Sequence, residues 1–399
     1  MAKLTKLGAL WVAPESTFST DPDTDGSDYR MVPAEGITWS PSKPPIEREV
    51  MRSGLGQSIS STPGQKGGTV SFSVPLHGLA TAGASGVAAV IDPWLDALLD
   101  ACGYSVAAGT GTAVIAVPTG TTTTTVVEVD SAVGITAGTL VMIGGEVRLV
   151  TAVNTAGTDT ITVTPALSSA PAGATVVYAS VSAGVTSSGN YEPTATAAFV
   201  WKHDQDEVTL LGCAGTLKVE PYDAGTRPML SFEFQVNSWA NTTNKSSVPS
   251  SVTYRSPLLA KRSAGDTTGS CLLWGSTATP LASSKTGFDP ALTLSPKPSV
   301  NGIEGRIGWA ITNEAAMLDV TPYSAQSTYY DDYEAATNRT AVLQLGNAGG
   351  AAFGIAAQQT QIMDLPGEAD VGGIRGSNLK LRVRNPSTSG VPGFILGWF

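Results

Sequence analysis

Two histidines, His77 and His203, are the chain's whole supply of imidazole, so general acid–base or imidazole–metal chemistry would start from them. They stand in Pro75-Leu76-His77-Gly78 and Lys202-His203-Asp204, and no His-x-x-x-His or comparable ligand spacing occurs. Both read as structural or solvent-facing. The sharpest carboxylate cluster is Tyr329-Tyr330-Asp331-Asp332-Tyr333-Glu334. Its three acids could offer oxygens to a calcium ion, but acids at a helix start also complement the helix dipole, and that reading is preferred. Asp204, Asp206 and Glu207 form a second acidic group, read as a turn between strands. Cys102, Cys213 and Cys271 are odd in number and widely spaced, without Cys-x-x-Cys, which predicts neither a disulfide framework nor a zinc site. Their small or apolar flanks predict buried free thiols. Walker-type loops, Gly-x-Gly-x-x-Gly and Gly-x-Ser-x-Gly are absent. The sequence therefore assigns no catalytic, cofactor-binding or metal-binding residue and no cofactor, and the expectation is that the chain is not an enzyme.

What must be positioned, then, is the chain itself. Charged residues make up 14% of the sequence, against about 25% in a typical soluble domain. Such a chain buries much of its surface or hides it against other subunits, and 42% hydrophobic residues supply real cores. The net charge of −10 argues against a general nucleic-acid-binding surface, which needs clustered Lys and Arg. The start, Met1-Ala2-Lys3-Leu4-Thr5-Lys6, is followed by a short apolar stretch broken at Pro14 and Glu15, a poor signal peptide. No apolar run reaches membrane-span length, so no membrane partner is expected.

Short Val-, Ile- and Thr-rich runs between Gly, Pro, Asn and Asp predict an all-β protein. Residues 16–30 read as a loop, 31–40 and 68–76 as strands, and 41–65 as a long loop. A helix is predicted from Asp92 as N-cap and Pro93 as first turn to Gly103 beyond its end, with Trp94, Leu95, Leu98, Leu99 and Cys102 as its apolar stripe. Residues 108–182 change character: strands at 126–129, 140–143 and 146–153, with Gly144-Gly145 as a hairpin turn, and further strands at 161–164 and 174–179. They predict an inserted β-module with flexible flanks at 107–111 and 182–190. Strands resume at 195–202, 207–211, 215–221 and 229–236, and the Asn-, Thr- and Ser-rich 237–250 reads as a linker. From 256 on, strands at 271–274, 291–294, 303–311 and 317–320 precede a helical stretch near 329–336. Strands at 341–345, 352–357, 359–364 and 379–384 follow. The same order of events suggests a tandem duplication. The predicted organisation is 1–107 with 183–255 as one discontinuous domain, 108–182 as the insert, and 256–399 as a second domain.

Three segments resemble the tail tube (major tail) proteins of long non-contractile-tailed bacteriophages, the siphovirus type. Leu10-Trp11-Val12-Ala13-Pro14-Glu15-Ser16-Thr17-Phe18-Ser19-Thr20-Asp21-Pro22 is similar to that family's opening strand and loop. Pro93-Trp94-Leu95-Asp96-Ala97-Leu98-Leu99-Asp100-Ala101-Cys102-Gly103 is similar to its single helix. Gly212-Cys213-Ala214-Gly215-Thr216-Leu217, through Arg227-Pro228-Met229-Leu230-Ser231-Phe232-Glu233-Phe234, resembles its final hairpin. The likeness covers about 1–107 and 190–240, under half of the chain, and the insert and the C-terminal half depart from the simple pattern.

The resemblance implies a tail-tube-like β-sandwich or half-barrel with one short helix, here duplicated and carrying a small β-module. It implies a structural virion protein of the phage tail, made and assembled in the host cytoplasm. Its partner is itself: copies join edge to edge in rings, three chains imitating a hexamer being preferred over six, and the rings stack into a tube. Tape measure and tail terminator or tip proteins are implied as further partners, and DNA passes through the lumen without specific binding. The sequence predicts few Lys or Arg facing that lumen and an insert on the tube exterior. The alternatives are a carbohydrate-binding, adhesin-like β-protein, a capsid decoration protein, and a glycan hydrolase using paired carboxylates. The tryptophans are scattered rather than clustered as in a sugar-binding face, and no carboxylate pair stands out.

Overall fold

The computed structural model describes residues 8–46, 61–81, 89–107, 114–116, 122–173, 175–185, 192–203, 206–241, 245–260, 270–275, 282–323, 327–384 and 392–399. Among these the fold is largely β-stranded, of β-sandwich type, with antiparallel pairing and two short helices, Pro93–Ala101 and Ser327–Glu334. None of its helices is long and apolar enough to cross a membrane.

The outer layer of the N-terminal half begins with Gly8–Glu15, which pairs with Arg30–Val32 on one side and Thr196–His203 on the other. Thr196–His203 pairs in turn with the first part of Asp206–Asp223. That strand changes layers at Gly212, whose φ of +65° is a conformation glycine adopts without strain. Its second part pairs with Met229–Val236, which pairs with Gly67–Pro75, which pairs with Glu35–Ser42. Alternation does the sorting: Val70, Phe72, Val74, Leu230, Phe232 and Phe234 point into the core, while Ser71, Ser73, Ser231 and Glu233 point away. Phe72 stacks on Phe232 at 5.4 Å, and Phe199 of the other layer meets Phe234 edge-on at 4.9 Å. The helix Pro93–Ala101 lays Trp94, Leu95, Leu98 and Leu99 on this core, as its stripe predicts.

In the C-terminal half Cys271–Trp274 pairs with Arg339–Ala348, which pairs with the first part of Ala351–Ile362. The end of Ala351–Ile362 pairs with Ile374–Arg384, which pairs with Met317–Pro322, which pairs with Ser283–Asp289. Ser283–Asp289 also pairs with Asp206–Asp223, in the register Val219↔Phe288, Tyr222↔Thr286 and Asp223↔Lys285. The two halves therefore share one continuous sheet. Phe394–Trp398 adds to Ala351–Ile362 and carries Val181–Val185, which pairs with Tyr104–Ala107.

Six strands between 114 and 179 form a separate sheet. The hairpin Leu140–Ile143/Glu146–Asn154 turns at Gly144-Gly145, both with positive φ, as its sequence predicts. One face holds the module's own core, including Val127, Val141, Val150, Ile161 and Val177. The other lays Leu140, Met142, Val147 and Leu149 on Leu273, Val342, Ala352, Ala356, Ile395 and Phe399 of the C-terminal half.

Several expectations need correction. Residues 207–211 and 215–221 are one strand, because Gly212 bends it without breaking it. The expected linker 237–250 contains the strand Ser238–Asn241 and the buried Lys245. Ala107 and Ser182–Val185, expected in flexible flanks, lie in paired strands; 108–111 and 186–190 fall outside the described residues. Instead of strands at 291–294 and 303–311, Thr293–Ile303 and Arg306–Asn313 form an extended hairpin arm turning at Glu304-Gly305. Of the expected long loop 41–65, Pro41 and Ser42 end a strand, Pro45–Ile46 pairs with Thr62–Pro63, and 47–60 fall outside the described residues.

Candidate functional site

The residues weighed for chemistry do not converge. His77 is buried beside Trp94; its Nδ1–H donates to the Gly78 carbonyl at 2.8 Å, and burial holds its pKa below the ordinary value. His203 stacks on Trp201 at the sheet rim. Asp92 occupies the N-cap backbone position, but its carboxylate receives two hydrogen bonds from Arg255, at 2.8 and 3.0 Å, instead of capping the helix. The helix acids separate: Asp331 and Glu334 are exposed, whereas Asp332 is buried and takes a two-pronged Arg339 at 2.7 Å. Asp332 thus corrects the reading of a solvated helix start. Asp206 and Glu207 begin a strand rather than forming a turn, and Asp204 falls outside the described residues. Cys102 and Cys213 are buried free thiols and Cys271 is half-buried. No group of three or more His, Cys, Asp or Glu able to hold a metal exists among the described residues.

Two of the three segments that carry the family resemblance, the opening and the final hairpin, do converge. Glu15 ends the first strand almost wholly buried, and its carboxyl accepts the Ser19 N–H at 3.0 Å, the Thr196 hydroxyl at 2.5 Å and the Gly212 N–H at 2.8 Å. Burial pushes its pKa up to about 7, against the pull of those donors. Gly212 is needed there on a second count: a Cβ would stand 2.7 Å from the Asn237 Cβ. Asn237 donates to the Ser19 hydroxyl and to the Ile303 carbonyl of the arm, while Trp309 of the arm donates to the Gly212 carbonyl at 2.8 Å. One enclosed carboxyl thus ties the opening loop, the layer-changing strand and the arm together. Three donors are spent on it, and it holds distant segments together as a clamp.

A second polar knot was hidden in a stretch read only as loop. Asp21, Asp23 and Asp25 alternate ahead of Gly26, the spacing of a calcium loop. The position a cation would take is filled by the chain's own Lys245, whose ammonium donates to both Asp21 carboxylate oxygens at 3.0 and 2.8 Å and to the Asp23 carbonyl. It also lies over the Tyr29 ring at 4.8 Å. The aspartate spacing was the available signal; the lysine, more than two hundred residues on, gave none.

Two strands of the shared sheet keep an unpaired edge among the described residues. Among the described residues, Glu35–Ser42 pairs with Gly67–Pro75 alone. The stretch 361–371 pairs with Ile374–Arg384 alone, apart from a hydrogen bond from the Tyr330 hydroxyl to the Pro366 carbonyl. Leu365 on that edge is 61% exposed. Beside the second of these edges the core-averted face holds a concavity of about 580 Å³, reached by Asp223, Lys285, Thr321, Asp370 and Asn378. No protein-family model matches this chain, and no curated protein matches it.

Proposed function

We propose that this chain is a structural virion protein, the tail tube subunit of a long non-contractile-tailed bacteriophage, whose copies close into stacked rings that conduct DNA. The observation that carries the reading is an order of strand partners that occurs twice. In the first half Gly8–Glu15, Thr196–His203, Asp206–Asp223, Met229–Val236, Gly67–Pro75 and Glu35–Ser42 pair in succession. In the second, Cys271–Trp274, Arg339–Ala348, Ala351–Ile362, Ile374–Arg384, Met317–Pro322 and Ser283–Asp289 pair in the same succession. Each set has its helix at the same point of the chain order, and in each the third strand pairs first with the second and, at its far end, with the fourth. Two tube-like domains in tandem, already joined edge to edge, give three chains the six domains of a ring.

The concave face suits a lumen wall. On it Lys218, Lys285, Lys380 and Arg382 are interleaved with Glu220, Glu233, Asp289 and Asp319, so phosphates would meet no uncompensated basic patch. The inserted module packs on the opposite, outer layer, which supports its placement outside the tube.

Negative-stain electron microscopy over a range of protein concentrations tests the reading. Hollow rings or tubes of constant bore with threefold rotational symmetry are the expected result. Compact monomers at every concentration would overturn it.

A further inference from the structure

We infer that Asn301 is a site of spontaneous modification: its side chain closes onto the Gly302 nitrogen, loses ammonia and leaves aspartate or isoaspartate in the arm, which loosens the arm from the first half. The reaction does not depend on how copies of the chain assemble. The sequence contains one Asn-Gly pair, and it stands here. Glycine after asparagine favours ring closure, because no Cβ hinders approach to the main-chain nitrogen and the backbone turns freely.

The arm's register puts that pair where it can react. Pro298 and Ile303 share a single partner on the opposite strand, Arg306, so Ser299, Val300, Asn301 and Gly302 loop out of the ladder. Val300 is wholly exposed, and Asn301 is exposed beside it. The Asn301 N–H donates to the Ser299 hydroxyl at 3.3 Å, while the Asn301 carboxamide makes no hydrogen bond among the described residues. Asn237, by contrast, is buried and its amide nitrogen donates to Ser19 and Ile303. The Asn301 side chain can therefore turn back onto the next peptide. Gly302 is fixed by packing, since a Cβ there would stand 2.1 Å from the Arg306 carbonyl oxygen. The fold thus demands the glycine that makes its neighbour reactive.

In the first step the Gly302 nitrogen gives its proton to solvent base and bonds to the Asn301 Cγ. The Cγ–Nδ2 bond breaks, and the amide nitrogen leaves as ammonia after taking a proton back. Water then opens the cyclic imide. Attack at Cγ returns the ordinary main chain with an aspartate side chain. Attack at the main-chain carbonyl gives isoaspartate, in which the chain runs through the former side chain and is one methylene longer.

That methylene falls inside a closed turn. The Ser299 N–H donates to the Gly305 carbonyl at 2.9 Å, and the Gly305 N–H to the Gly302 carbonyl at 3.0 Å. Next to it the Ile303 carbonyl accepts from Asn237 at 3.2 Å, and the Glu304 carboxylate accepts the Lys66 N–H at 2.8 Å. Lengthening the chain here displaces Ile303 and Glu304 from those partners, which belong to the first half.

Full-length protein held in mildly alkaline buffer and sampled over days tests this by isoelectric focusing and peptide mass mapping. A growing acidic band is expected, with the carboxamide-to-carboxyl mass change at Asn301 ahead of every other asparagine. Asn301→Gln, whose longer side chain closes a less favourable ring, should lose the band. Trypsin should cut after Arg306 faster in aged protein than in fresh. Freshly made Asn301→Asp, charged but not lengthened, should resist trypsin as fresh wild type does. An unchanged mass at Asn301 would overturn the site. Converted protein in which Arg306 stays as protected as in fresh protein would overturn the loosening of the arm.

Discussion

The outer layer of the first half and that of the second use equivalent strands but are covered by opposite chemistry. In the first, Trp11, Ala13, Ala198 and Val200 are roofed by Tyr29 and by the loop that Asp21, Asp23 and Lys245 hold together, and Trp11 donates to the Pro249 carbonyl at 2.8 Å. In the second, Leu273, Val342, Ala352 and Ala356 are roofed by another sheet. Gly354 and Gly397 let that sheet come close, since a Cβ on them would stand 2.7 Å from Val147 and 2.8 Å from Leu140. Gln344 pins it by accepting from the Val147 N–H at 2.8 Å and donating to the Gly145 carbonyl at 2.6 Å. A short loop covers an apolar face chiefly through directional bonds, whereas a module with a core of its own covers it chiefly by apolar contact, with Gln344 fixing its position.

Removing the module breaks this comparison most severely. Joining residue 107 to 182 through an Asn-Gly turn, since the two are opposed strand partners, uncovers Leu273, Val342, Ile395 and Phe399, each worth about 1.5–3 kcal/mol when buried. The shortened chain should precipitate on expression, and Val342→Thr with Ile395→Thr should restore part of its solubility. A deletion variant as soluble and heat-resistant as the full chain would show that the second half does not need its roof.

The loop-covered half is most sensitive at Lys245, whose side chain is 1% exposed. Lys245→Met strands Asp21 opposite an apolar group, and breaking a buried pair costs about 3–5 kcal/mol; the partial exposure of Asp21 places this case at the lower end. Arg339→Met in the second half removes the partner of Asp332, but Arg339 is 34% exposed, and a loss of about 1–3 kcal/mol is expected. Urea unfolding of both variants should preserve that order.

Glu15 makes the first half pH-sensitive in a way nothing in the module's contact does. Its pKa is raised from an ordinary 4.5 to about 7 in the folded chain. Between these values the folded state binds more protons than the unfolded state, so this site's contribution to stability falls as pH rises from about 4.5 to about 7. Glu15→Gln should lack that decline. It should also lose about 1–3 kcal/mol, because its amide N–H groups face either the Gly212 N–H or the Ser19 N–H and the Thr196 hydroxyl. His77 acts in the opposite sense, its lowered pKa withdrawing stability as pH falls, so the wild-type minus Glu15→Gln difference isolates the carboxyl. Parallel stability–pH curves for the two proteins would refute the assignment.

How much of this was legible follows from the range of the forces involved. The helix and the Gly144-Gly145 hairpin were readable because caps, turn residues and periodicity act over a few neighbours. The strand through Gly212 was divided in two because a glycine cluster reads as a turn, and only the Glu15 carboxyl and the Asn237 contact show why the chain bends there. The linker reading of 237–250 followed its polar composition, yet Lys245 is buried there because its partners lie in the opening loop. In the candidate site, the resembling segments are legible as segments, but the meeting of the opening and the final hairpin at Glu15 needs a contact across nearly two hundred residues.

The smallest effects lie at the two open edges. Arg227 pairs with Glu35 at 3.0 Å on one edge, and Arg375 pairs with Glu368 beside the other. Both pairs are largely exposed, and such pairs contribute about 0–1 kcal/mol. Arg227→Ala and Arg375→Ala should therefore barely move the melting of the monomer. In a ring joined edge to edge, Glu35 and Glu368 lose solvent, and each arginine then neutralises a carboxylate in a less solvated place, where charge repulsion is stronger. Assembly of either variant should need a higher protein concentration than wild type, more so at low salt than at high salt, because screening weakens the repulsion the arginine had masked. Light scattering across protein and salt concentrations reads this directly. Equal assembly thresholds at low salt would place these arginines away from the contact between copies.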